Sequence, residues 1–175
     1  FTVPVWWRQI LGYTVMVTYI GVVTWVFVRS TVPYAMKHAS TEQQGDNTQM
    51  EQYAIELSYI AVPFGSVLAI FLVVQRWKYF VALMTVYSVF AAIFLIIAFD
   101  DKSGFWVFSN SDKFVVLLVF LMRCIDGYVV PLILENVARL YPNKAHAMNQ
   151  WIMVTANIGG FTGVWLAYLF IHFLL

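Results

Sequence analysis

A chain of 175 residues that is 62% hydrophobic, 18% aromatic and only 11% charged carries too little polar surface for a water-soluble domain, in which roughly a quarter of the residues are charged. A formal net charge of +1 leaves no electrostatic footprint for a nucleic acid. One cysteine, Cys124, excludes an internal disulfide, and the scattered His38, His146 and His172 give no metal-ligand spacing with it, so neither a metal nor a cofactor is expected.

The apolar residues fall into five runs, each near the roughly 20 residues that an α-helix needs to cross about 30 Å of hydrocarbon. The expected fold is an all-α polytopic membrane protein, a bundle of five transmembrane helices. It forms a single membrane domain over residues 1–175, with the lipid bilayer as its surroundings. The first span is predicted over residues 9–28. Trp6 and Trp7 precede it as an interfacial belt, Arg29 closes it, and Pro33 ends any continuation. A polar segment, Lys37 to Gln52, follows, with a turn at Gly45, Asp46 and Asn47.

The second span, 54–74, contains Glu56, Pro63, Gly65 and Ser66, and ends in the polar tetrad Gln75 to Lys78. Glu56 lies in its first turns, where a carboxylate is solvated or favoured by the helix dipole. The third span, 79–99, has only Thr85, Tyr87 and Ser88 as polar interruptions and reads as a lipid-facing helix. Asp100 to Lys113 alternates charged and aromatic residues, as a loop lying at the interface would. The fourth span is predicted over 114–134, with helix running on through Arg139 until Tyr141-Pro142-Asn143. The fifth covers 148–173. Arg8, Arg76, Lys78, Arg139 and Lys144 share one side, against Arg29, Lys37, Lys102 and Lys113 on the other. The positive-inside rule then favours the first side as cytoplasmic. No cleavable signal pattern is visible.

The fourth span holds the residues with chemical content. Charges in such a run are costly, and usually face a partner or a water-filled cavity. Arg123 and Asp126 are three apart, so they share a helix face and can pair. Glu135, nine residues after Asp126, points about 180° away. Two readings of the pair stay open: the polar lining of a solute path, or a neutralised pair that ties helices together. Gly127 and Pro131 follow it, and such residues mark discontinuous helices at transporter sites as well as ordinary kinks. In the fifth span, Gly159 and Gly163 form a G-x-x-x-G, which permits close helix packing. Asn149 and Asn157 are assigned to one face with Gly160, as interhelical hydrogen-bonders or as contacts to a solute. No phosphate loop, nucleophile elbow or H-E-x-x-H is present, so an enzyme has no residues to rest on.

Several segments resemble the C-terminal half of the eukaryotic riboflavin transporters. They are Ser30 with Pro33-Tyr34-Ala35, then Ser58-Tyr59 with Gly65-Ser66, and the last two spans, VVLLVFLMRCIDGYVV and MVTANIGGFTGVW. In the last, Asn157, Gly159 and Gly160 stand near the family's Gln-x-Gly-Ser. Alanine replaces the family's glycine after Pro33-Tyr34, and Arg123 and Asp126 have no counterpart there. The equilibrative nucleoside transporters share the five-span layout, but their Phe-Asp-Trp-Leu-Gly-Arg signature is missing here.

The resemblance implies a solute carrier, or part of one, that moves a small polar organic solute by alternating access. Arg123, Asp126 and Asn157 would then contact the solute. Five spans make an incomplete pathway, so the other wall is expected from a missing half, which a start at Phe1 allows, from partner subunits or from self-association. The rival expectation is a structural or accessory subunit of a larger membrane complex, in which the same residues are interhelical contacts.

Overall fold

A computed structural model describes residues 5–29, 32–33, 35, 47–99 and 112–174. Ser30, Tyr34, the polar loop from Lys37 to Asp46 and the interfacial segment from Asp100 to Ser111 lie outside the described residues. Five helices account for nearly all of the rest, and no strand occurs among the described residues. Helix α1 spans Val5–Val23 and continues as a π-helical segment, Thr24–Arg29. Helices α2 (Asn47–Phe71), α3 (Trp77–Phe99), α4 (Asp112–Leu140) and α5 (Ala145–Leu174) follow. Four of them contain apolar stretches long enough to cross a membrane, and α1 contributes a shorter one, Ile10–Val26. The protein is an all-α membrane bundle.

Helix α2 starts at Asn47, within the segment expected to be polar loop, and stops at Phe71 instead of residue 74. Its carboxyl end is held by side chains of α4. Tyr128 donates its hydroxyl to the Leu72 carbonyl at 2.6 Å, and Asn136 donates an amide N–H to the Val74 carbonyl at 3.2 Å. These bonds replace helical partners that the connecting strand of backbone has lost. Helix α4 runs unbroken to Leu140, as expected, with Arg139 in its last turn, where the dipole favours a cation. Pro142 then blocks continuation, and the turn carries the chain into α5.

Two pairs of helices approach to backbone contact. In the α2–α4 seam, Gly65 lies against the backbone of Cys124 and Tyr128, while Gly127 lies reciprocally against the backbone of Val62. A Cβ at either position would push into main chain, which cannot rotate away. In the α1–α5 seam, Gly159 meets the Thr18 carbonyl and Gly163 the Val22 carbonyl, and Gly160 faces the Trp25 indole. Lipid tails are as apolar as a protein core, so such close packing is a main source of helix association in a membrane.

Helix α3 differs from the lipid-facing reading. Phe80, Met84, Tyr87, Ala91, Phe94 and Ile97 are buried at three- and four-residue spacing, and Val81, Val86, Val89 and Ile96 are exposed. The helix therefore has a core face. Trp77 is tied to α1, its ring 5.3 Å from that of Tyr13, over the space that Gly12 leaves open.

Candidate functional site

Helix α4 packs against α1, α2, α3 and α5, which makes it the central element and sets its polar residues inside the bundle. Asp126 falls at the middle of the Lys113–Leu140 span and is only 6% exposed. Arg123, one turn before it, donates from Nη1 to Asp126 Oδ2 at 2.9 Å. The pair read from the three-residue spacing therefore forms, with the guanidinium side chain 15% exposed.

Two further residues complete the cluster, and the sequence gave no reason to join them to it. Thr24, on the π segment, donates to the same Asp126 Oδ2 at 2.7 Å. The Tyr87 hydroxyl of α3 lies 3.0 Å from Thr24 Oγ1. Since the threonine proton goes to the carboxylate, Tyr87 donates to the threonine oxygen. Tyr87, Thr24 and Asp126 thus form a directed relay across three helices. A π-helical turn inserts an extra residue into the helical repeat, and such turns recur at functional sites. Here the turn begins at the residue that reaches Asp126.

All the donors in this cluster converge on one carboxylate oxygen. Asp126 Oδ1 is fully buried and has no hydrogen-bond partner among the described residues. An acceptor buried without a donor is costly, so this oxygen is open for a donor that the chain itself does not supply.

Immediately after Asp126, the backbone carries a second special feature. Pro131 lies inside α4 and lacks the N–H that would bond the carbonyl four residues earlier. That carbonyl belongs to Gly127. Ser66 of α2 donates its hydroxyl to it at 3.0 Å, so a neighbouring helix satisfies the group that the proline frees. Thr18 makes a similar, longer contact to the Thr155 carbonyl across the α1–α5 seam, at 3.3 Å.

The remaining sequence candidates lie elsewhere. Asn157 is not brought to Arg123 and Asp126. It is exposed on the outer face of α5, whereas Gly159, Gly160 and Gly163 are buried. Asn149 turns inward and donates to the Leu134 carbonyl at 3.4 Å, so the two asparagines do not share an environment. Glu135 pairs with Arg139 on an exposed part of α4. Glu56 is exposed and accepts from Gln52 at 3.0 Å. It borders a surface cleft of about 350 Å³ with Tyr53, Leu57, Ile60, Lys113 and Val116. No group of metal-binding side chains occurs among the described residues.

No family model, curated protein or solved structure matches the chain.

Proposed function

We propose that this chain is a membrane solute carrier, or the helical half of one, and that Asp126 is its central polar contact. The observation that carries this reading is the arrangement of the Asp126 carboxylate. One oxygen is saturated by Arg123 and Thr24, and the other is buried and unpartnered at the middle of a membrane-spanning helix. Ionisable residues at that depth mark solute or ion pathways, and carriers place their sites near the midplane beside interrupted helices. The π segment at Thr24 and the proline at 131 supply two such interruptions around Asp126. The solute is a small polar organic molecule whose N–H or O–H donates to Oδ1. Arg123 holds the carboxylate in place, and alternating access opens the site at the interrupted helices.

A second reading, a structural subunit of a larger membrane complex, draws on the same cluster. Arg123 neutralises Asp126, and Thr24 and Tyr87 tie α1, α3 and α4 together. Uptake by proteoliposomes containing the protein purified with whatever copurifies in mild detergent separates the two. Labelled riboflavin and a labelled nucleoside are suitable solutes. For a carrier, one of them accumulates saturably above protein-free vesicles, and Asp126→Asn lowers the rate by about tenfold or more, the loss of one polar contact of about 1.4 kcal/mol. Uptake equal to protein-free vesicles, from folded protein held in a stoichiometric complex, sinks the carrier reading.

A further inference from the structure

Helix α5 presents an outer stripe that the bundle leaves uncovered. Val154, Phe161, Val164 and Tyr168 are exposed along it, Phe161 at 67% and Tyr168 at 60%. Their spacing of three, four and seven residues puts them on one face of the helix. Asn157 is in the middle of this face and at the midpoint of the Ala145–Leu169 span. Lipid covers apolar residues without cost, but it has no hydrogen bond to offer an amide. At the centre of the hydrocarbon there is no interface within reach of so short a side chain, so Asn157 needs a partner from another helix.

We infer that a second copy of this chain covers the stripe, the two α5 helices crossing at Asn157 and exchanging amide hydrogen bonds. A primary amide carries both donors and an acceptor, so it satisfies an identical group. A two-fold axis along the membrane normal keeps equivalent residues at equal depth, and so sets Asn157 opposite Asn157 at the midplane. A single asparagine in such a seam fixes register and pairing. The flanking residues meet their own equivalents as apolar and aromatic contacts. The stripe faces away from the glycine seam with α1, so the dimer leaves the bundle and the Asp126 cluster intact. This inference does not depend on the carrier reading.

The test is single-molecule photobleaching of the labelled full chain in phospholipid vesicles over a range of protein-to-lipid ratios. Two-step bleaching at high dilution is expected for the native chain. Asn157→Leu should move the midpoint of dimer formation to about tenfold higher density, the worth of a membrane amide contact, and Asn157→Gln should retain most of the affinity. In a Cys124→Ser background, Phe161→Cys should give an oxidant-dependent covalent dimer, and Val86→Cys on the outer face of α3 should not. Single-step bleaching of the native chain at every density overturns the proposal. So does an Asn157→Leu curve that overlays the native one, or a Phe161→Cys cross-link to a different polypeptide.

Discussion

Asp126 and Asn157 are two polar residues at the midpoints of adjacent membrane helices, and the protein treats them in opposite ways. Asp126 is enclosed, and donors from α1 and its own helix converge on one of its oxygens. Asn157 points outward among exposed apolar side chains. The difference follows from helix position. Helix α4 has neighbours on every side, so a charge there meets other protein, whereas α5 has its glycine seam on one side only. Within one bundle, the same depth in the bilayer therefore yields an internal polar knot on one helix and an unpartnered outer amide on the next.

The largest effect that tests this contrast comes from splitting the buried pair. Arg123→Leu strands the Asp126 carboxylate, which should cost about 3–5 kcal/mol in a reversible unfolding measurement in mixed micelles. The double variant Arg123→Leu with Asp126→Leu should recover most of that loss, because an apolar replacement leaves no charge behind. A double variant as unstable as the single one would mean that Thr24 and Tyr87, now without an acceptor, dominate the cluster. A smaller effect is expected at the proline carbonyl. Ser66→Ala removes the donor to Gly127 O, and an orphaned buried carbonyl costs about 1–3 kcal/mol. The helix seam tightened by Gly65 and Gly127 should persist, so cross-linking across α2 and α4 should be unchanged.

How these residues would sit was only partly readable from the chain. Helix number and approximate extent follow from run length, since the bilayer sets a minimum span. The Arg123–Asp126 pair follows from spacing within one helix. Small residues such as Gly159 and Gly163 show where backbones approach, whatever surrounds them. Facing direction is different. In water, an amphipathic stripe identifies the buried side, but in a membrane both lipid and core are apolar. That is why α3 read as lipid-facing although Phe80, Tyr87 and Phe94 are fully buried. It is also why Asn157 read as a partner of Arg123 and Asp126. Thr24 and Tyr87 were hidden for a further reason: they join the cluster from 102 residues away and from 63 residues beyond Thr24. The π turn also rotates Thr24 off the register that α1 alone would give.

The smallest effect concerns Asn157 itself. An exposed side chain with no part in the buried cluster should tolerate replacement, and surface substitutions of this kind usually stay within about 0.5 kcal/mol. Asn157→Leu measured on the monomer, at protein densities too low for pairing, should therefore leave unfolding unchanged. Exchanging an amide for an apolar group at the middle of a lipid-facing stripe removes a desolvation cost, so any residual shift should be toward greater stability. Paired with the Arg123→Leu result, this measurement bears on where each residue's energy lies. A marked loss of monomer stability would place the Asn157 contact inside one chain and remove the contrast with Asp126. No loss in the monomer, with weakened association at higher density, would locate the contact between chains.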